Sequence, residues 1–265
     1  EHPWSIPESI KKHLDLDSGN DRGRIWRIAP KGFKPPKRAL PGNVKTAQLV
    51  ELLAHANGWT RDCAARLIYE RQDKAIVPAL TKLATDTKKP LGQIHALWAL
   101  RGLGALKKEH VLQALEKGNP EVRVQGMILA EDFSDHAEVT KTVYAQKDQE
   151  DKHALYQMAL TASRSPQSDS KKIALSTVLA KADGDRWIEA AVMNGLSDDL
   201  GAMWMAVHGA PSVSASAKTE LLKLIGRRNK PEEVAKAVRV ISRRPPNSQT
   251  IVWVNALGKS AGSLP

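Results

Sequence analysis

The segment Arg61–Ile68 reads RDCAARLI, and four similar segments follow it along the chain. They are His95–Leu100, Arg123–Leu129, His153–Leu160 and Arg186–Val192, the last being the weakest copy. Their starting positions, 61, 95, 123, 153 and 186, are 34, 28, 30 and 33 residues apart. Each segment has a long polar residue, then small residues that permit close helix approach, then aliphatic residues. Repetition at such a period is typical of repeat architectures.

An ordinary amphipathic helix is predicted between successive copies of this segment. These intervening helices cover Ile76–Leu83, Val111–Leu115, Val139–Tyr144 and Ile173–Leu179. One helix pair cannot bury both of its apolar faces, so neighbouring pairs must stack. A non-repeating helical bundle would also contain amphipathic helices, but the regular spacing favours a solenoid. We therefore predict an all-α solenoid over residues 46–265, with about seven antiparallel pairs ending in Pro231–Arg244 and Thr250–Leu257.

The first 45 residues have a different pattern. Apolar Ile25, Trp26 and Ile28 occur beside the polar residues Arg24 and Arg27, which predicts a short strand over Ile25–Ile28. A proline- and lysine-rich linker follows over residues 30–45. Because a single strand is not stable alone, we expect residues 1–29 to be the tail of an upstream domain. The opening residues Glu1–Trp4 match neither a start methionine nor a signal peptide, so we expect a piece of a longer protein.

Composition restricts the class of protein only loosely. The 265 residues are 42% hydrophobic and 26% charged, close to a globular average. No apolar run approaches the ~20 residues of a membrane-spanning helix. The net charge of +11 suits an acidic protein, a nucleic acid or an anionic surface. The lone Cys63 excludes an intrachain disulfide and is expected to be a buried small hydrophobe.

No convincing catalytic, cofactor or metal motif is present in the sequence. HExxH, zinc-ligand spacing, GxSxG and Walker A motifs are all missing. The run Asp15-x-Asp17-x-Gly19-x-Asp21 fits a calcium loop poorly, because Gly19 comes one position early and Trp26 stands where a glutamate is expected. His95 and His153 occupy equivalent repeat positions and are predicted to be structural. We therefore assign no catalytic, cofactor-binding or metal residue to this chain.

Two further groups of residues have alternative interpretations. The first comprises the tryptophans of helical runs, which are predicted to lie in the core rather than to form a ligand platform: Trp59, Trp98, Trp187 and Trp204. The second is a basic cluster, interpreted as a solvated helix face or as a site for an acidic protein or a phosphate backbone. Its members are Lys218, Lys223, Arg227, Arg228, Lys230, Lys236, Arg239, Arg243 and Arg244.

The sequence also resembles a known family. Residues 2–13 and Asp21–Ile28 resemble the closing segment of a β-propeller similar to soluble sugar dehydrogenases. Asn57–Asp62 and Leu67–Arg71 resemble the first unit of the HEAT repeats that follow such a propeller in large multidomain, putatively membrane-bound dehydrogenases of planctomycetes and verrucomicrobia. The likeness is specific over residues 1–75 and generic beyond.

The resemblance implies an arrangement of propeller, HEAT repeats and then a c-type cytochrome domain with a CxxCH haem site. It implies a periplasmic or extracytoplasmic location and a parent protein that is an oxidoreductase. This chain has no CxxCH and almost no propeller, so the dehydrogenase and haem chemistry would lie in other domains.

Three functions are consistent with the sequence. The first is a non-catalytic scaffold that links the propeller domain upstream to a cytochrome-like domain or partner downstream. The second is a HEAT-like DNA-binding protein such as an alkylpurine DNA glycosylase, which needs a carboxylate beside aromatic residues. The third is an independent peptide-binding adaptor with a long open groove.

Overall fold

The computed structural model describes residues 5–15, 23, 28–34, 43–196 and 199–261, and it divides the chain into two units, 1–39 and 40–265. In the first unit, one helical turn, α1 (Glu8–Lys11), is described. The predicted strand Ile25–Ile28 lies outside the described residues except for Ile28, and so do Trp4 and half of the predicted linker. The strand and the domain assignment of residues 1–29 therefore stay predictions.

All regular secondary structure in the described part of the second unit is helical. Its helices are α2 (Thr46–Leu52), α3 (Gly58–Arg71), α4 (Val77–Ala84), α5 (Pro90–Gly102), α6 (Lys108–Lys117), α7 (Pro120–Ala130), α8 (Ala137–Ala145), α9 (Lys152–Arg164), α10 (Asp169–Lys181), α11 (Arg186–Gly195), α12 (Leu200–Val207), α13 (Ala215–Arg228), α14 (Pro231–Ser242) and α15 (Ser248–Ala261). Single 3₁₀ turns at Lys74–Ile76, Glu131–Phe133 and Gln146–Asp148 adjoin some of them.

The helices pack in two rows. The even-numbered row runs from α2 to α14, each helix contacting the next even one, and the odd-numbered row runs from α3 to α11 in the same way. Within pairs such as α2 and α3, α4 and α5, or α6 and α7, consecutive helices also pack against each other across the rows, and α15 packs mainly on α13. All five repeated segments lie in the odd row and all four intervening helices lie in the even row. This arrangement is that of an α-solenoid and confirms the predicted alternation of helices.

Contacts along the odd row show that its helices run parallel. Near the helix starts, Arg61 Nε donates to His95 Nε2 of the next odd helix (3.3 Å). Near the helix ends, the guanidinium of Arg101 binds both carboxylate oxygens of Asp132, at 2.6 and 2.9 Å. Since N-terminal parts of neighbouring helices contact each other and C-terminal parts do the same, each helix of the odd row from α3 to α11 presents its N-terminus at the same edge of the stack.

Side-chain caps fix where these helices begin. Asn57 accepts from Trp59 N at 2.9 Å, Asn119 from Val122 N at 2.9 Å, Asp151 from His153 N at 2.7 Å and Asp185 from Trp187 N at 2.9 Å. Such caps supply partners for backbone N–H groups that the helix itself leaves unpaired. At α7 the capping residue Asn119 is followed directly by Pro120, which lies in the first turn.

Small residues permit the close approach of neighbouring helices. A Cβ added at Gly92 of α5 would lie 2.9 Å from both Ala54 Cβ and Leu83 Cδ1. A Cβ at Gly126 of α7 would lie 3.2 Å from Ala114 Cβ of the preceding helix. Cys63 is half-buried rather than fully buried as predicted, because it lies at the border of the face of α3 that carries the buried Ala64 and Ile68.

Candidate interaction surfaces

The second residue of each helix from α3 to α11 in the odd row lies exposed along one edge of the stack. These residues, which we call the N-terminal edge, are Trp59, Leu91, Glu121, His153 and Trp187. The three apolar members are between 48% and 61% exposed, an unusual position for such large side chains. Because stacked helices lie about 8–10 Å apart, the five residues span roughly 30–40 Å.

Two of the tryptophan predictions are wrong for this reason. Trp59 and Trp187 were expected in the core, but each lies two residues after a capping side chain, where the helix face turns to solvent. Trp204 is fully buried, as predicted. Trp98 packs half-buried against the core and donates from Nε1 to Gln125 Oε1 of the next odd helix at 2.9 Å.

A shallow cavity of about 260 Å³ lies at the edge where α9 and α11 begin. His153, Tyr156 and Trp187 contribute its aromatic rings. The guanidinium of Arg186 lies over the Trp187 ring, 4.7 Å from its centroid. Aromatic faces beside cations form a surface that can bind both apolar and anionic groups.

The carboxylate of Asp185 also lines this cavity, but it has a structural role as a helix cap. Its Oδ1 accepts from the backbone N–H groups of Trp187 and Ile188, at 2.9 and 3.3 Å. The adjacent Asp183 pairs loosely with Lys152, at 3.8 Å. The arrangement therefore places a carboxylate beside aromatic rings, but that carboxylate caps a helix.

The two repeat-position histidines have different surroundings. His95 lies between α3 and α5, where burial and the nearby Arg61 lower its pKa below the usual value. It is therefore neutral and accepts the bond from Arg61, which fits the predicted structural role. His153 is exposed on the N-terminal edge, and sequence periodicity alone does not reveal this difference.

The predicted basic cluster is not one surface. Lys218 is buried and donates to the carbonyl of Ala210 at 2.7 Å, and burial lowers its pKa. Lys236 binds Asp199 at 2.7 Å, while Arg244 lies 4.9 Å from the Trp253 ring centroid and within 3.2 Å of His208 Nδ1. These three members thus support the fold, whereas Arg227, Arg239 and Arg243 are exposed.

Buried charged groups are the features that the sequence did not indicate. Lys171 is 1% exposed and donates to the carbonyl of Ser165 at 3.0 Å. Glu189 of α11 accepts from the hydroxyls of Ser214 and Ser216, which links α11 to the start of α13. Glu233 accepts from the backbone N–H of Leu200 at 3.2 Å and lies 3.4 Å from Arg228. All three join separate helices, so we interpret them as structural.

Within the described ranges, no group of three or more His, Cys, Asp and Glu side chains could hold a metal ion. Most of the calcium-like run lies outside those ranges, since only its Asp15 is described. No described helix is long and apolar enough to span a bilayer.

Comparisons with known proteins identify no relative: no family model, no curated protein and no solved structure matches this chain. The resemblance to propeller–HEAT–cytochrome proteins accordingly stays a prediction.

Proposed function

We propose that residues 46–265 form a non-catalytic scaffold that binds other protein domains through the N-terminal edge. The observation that carries this proposal is the regular exposure of Trp59, Leu91, Glu121, His153 and Trp187 along parallel stacked helices. Exposed aromatic and aliphatic side chains grouped along one edge, with an aromatic cavity at α9 and α11, suit a protein interaction site. Tryptophan is also enriched among the residues that contribute most to binding energy at interfaces.

The edge has electrostatic features that suit a protein partner with carboxylates. The helix dipoles add partial positive charge at the N-terminal ends of the odd helices, and the capping carboxylates of Asp151 and Asp185 and the side chain of Glu121 offset part of it. Lys152 and Arg186 flank the aromatic cavity at α9 and α11, and the whole chain carries a net charge of +11. A partner that offers apolar side chains between acidic ones would match this pattern.

The family resemblance suggests what the scaffold connects. In this proposal the helix stack is a HEAT solenoid that holds an upstream propeller dehydrogenase-like domain near a downstream c-type cytochrome domain, outside the cytoplasm. Stacked pairs suit this role because each one contacts only its neighbours and the array can present an extended binding surface. The haem and the dehydrogenase chemistry would belong to those other domains.

The coding sequence on either side of this segment tests the connecting role. Propeller repeats before Glu1 and a CxxCH motif after Pro265 would support it. An unrelated domain on both sides would contradict the connecting role while leaving the proposed binding edge to be tested separately.

The DNA glycosylase alternative is less well supported. The cavity near Tyr156 and Trp187 has the aromatic rings, but its carboxylate, Asp185, already accepts two backbone hydrogen bonds. Duplex binding titrated at several salt concentrations distinguishes the two functions. The scaffold proposal predicts that the protein does not prefer alkylated duplex to unmodified duplex. It also predicts that the protein binds neither duplex at about 0.15 M salt. Selective binding of alkylated duplex that Trp187→Ala abolishes would favour the glycosylase.

A further inference from the structure

A second surface lies at the C-terminal end of the stack, where α13, α14 and α15 line an open groove of about 480 Å³. From this groove we propose that the last helix pair binds an acidic amphipathic helix of a partner protein. The groove is separate from the N-terminal edge, so the two proposals can fail independently.

The groove is lined almost entirely by apolar side chains. Val234, Val238 and Ile241 contribute one wall from α14, and Val254 and Leu257 contribute the other from α15. Val238 and Val254 are 48% and 53% exposed, whereas most other valines of the stacked helices are buried. Ile251, one turn before Val254 on the same side of α15, is 59% exposed and extends the apolar surface. Such a contiguous surface is costly to leave in water and indicates a binding site.

The shape of the groove favours a helix as the occupant. Its two walls are helices whose lining residues recur at i, i+4 and i+3, as for Val234, Val238 and Ile241. An amphipathic helix presents a matching stripe at the same spacing. Within the stack, each even helix from α4 to α12 is covered by an even helix on both sides, whereas α14 is covered by α12 on one side and exposes Val238. A docked helix would cover that remaining apolar surface in the same manner.

The charge around the groove favours an acidic partner. Arg239 follows the lining residue Val238, so it lies about 100° around α14 and beside the lined face. Arg227 likewise follows the lining residue Gly226, so it lies about 100° around α13 and beside the lined face. Glu232, exposed in the first turn of α14, offsets one of these charges. The exposed part of the predicted basic cluster thereby acquires a role, which is to select acidic flanks beside an apolar stripe.

The test uses the full chain and two synthetic peptides of about 18 residues with fluorescent labels. Both peptides carry leucine at i, i+3, i+4 and i+7; one has glutamate on its flanks and the other has lysine at the same positions. Fluorescence anisotropy measures the dissociation constant of each peptide. We expect the glutamate peptide to bind at least roughly ten-fold more tightly than the lysine peptide, and this difference to shrink at high salt.

Matched variants locate the site. Val238→Glu and, separately, Val254→Glu should each weaken the glutamate peptide at least roughly ten-fold, because a charge would enter the apolar groove. Arg239→Glu should weaken it by a smaller factor and reduce its salt dependence. Ile173→Glu is the control, since Ile173 is 59% exposed on α10, away from the groove. Circular dichroism checks that each variant stays folded.

Three results would overturn the proposal. Equal binding of both peptides would show that charge does not select the partner. Equal loss in Ile173→Glu and Val238→Glu would show that the groove is not the site. Concentration-dependent dimerisation in sedimentation, removed by Val238→Glu, would make a second copy of this chain the occupant.

Discussion

Trp204 of α12 and Trp253 of α15 pack edge to face in the interior, with ring centroids 4.9 Å apart and an angle of 85° between the rings. Both are at most 1% exposed. Arg244 lies over the ring of Trp253 and reaches His208, which itself packs on Trp204. This cluster joins α15 to α12 and so holds the last helix pair on the stack.

Replacing Trp253 with alanine should lower the free energy of unfolding by about 3–5 kcal/mol, as deletion of a large buried aromatic typically does. Urea denaturation followed by circular dichroism measures the change. Val252→Ala is the control: its side chain is half-exposed, and we expect a change within about 0.5 kcal/mol. Equal effects of the two changes would show that Trp253 does not anchor α15.

Two helical glycines should respond to alanine in opposite directions. A Cβ on Gly201 of α12 would lie 2.8 Å from Lys236 Cδ and 3.0 Å from the Cα of Glu233, a backbone atom of α14 that cannot move aside cheaply. Gly201→Ala should therefore destabilise the protein by about 1–3 kcal/mol.

Gly258 of α15 is the matched comparison, since no atom would lie within 4 Å of its added Cβ. Gly258→Ala should stabilise the protein by about 0.5–1 kcal/mol through helix propensity. Thermal melts of both variants provide the measurement. A stabilised Gly201→Ala protein would contradict the close contact between α12 and α14.

Asp199 combines a capping role with an ion pair. Its Oδ1 accepts from Ala202 N at 3.0 Å and from Lys236 Nζ at 2.7 Å, and the hydrogen bond from Lys236 lowers its pKa. Asp199→Ala should cost about 1–2 kcal/mol, whereas Asp199→Asn should cost less because it keeps the cap. Urea midpoints compare them, and an equal loss in Asp199→Asn and Asp199→Ala would show that the charge matters more than the cap.

Acidification should destabilise the fold through three histidines. Burial lowers the pKa values of His95, His110 and His208, with smaller contributions from Arg61, Lys107 and Arg244 respectively. Since the folded protein then binds protons less readily than the unfolded chain, this stability is complete above the ordinary pKa of 6.5 and falls as pH decreases below it. The Asp199 contribution is lost only below about pH 4.

Melting temperatures at about pH 7.5 and about pH 5.5 measure this effect. We expect a lower melting temperature at the acidic pH and a smaller difference in a His95→Gln, His208→Gln double variant. A melting temperature that rises on acidification would contradict the assigned pKa directions.

The repeat pattern predicted the helix rows because it depends on local chemistry. The small residues of RDCAARLI-like segments recur where an odd helix approaches a neighbouring even helix, as Gly126 does at Ala114. Asn119 or Asp185 marks a helix start within its own few residues. The positions of Trp59 and Trp187 were missed because hydrophobicity alone does not give the side of the helix. Counting two residues from each cap would have placed both on the edge.

The buried charged residues could not be predicted from the sequence for a different reason. Glu233 accepts from the backbone of Leu200, 33 residues earlier in the chain. Glu189 is satisfied by serines 25 and 27 residues later. Because such partners come from distant segments, a local pattern gives no indication of them. The groove between α14 and α15 was likewise not predicted, since it depends on how α15 packs against α13.

Site-specific photo-crosslinking in the native cell tests the proposed scaffold function most directly. A photoreactive residue replaces Leu91 on the N-terminal edge in one strain and Ile173 of α10, which is similarly exposed, in another. The scaffold proposal predicts a discrete adduct to a single protein or neighbouring domain from position 91, little from position 173, and its loss in a Trp59→Ala, Trp187→Ala background. The same adducts from both positions, or none from position 91, would contradict it.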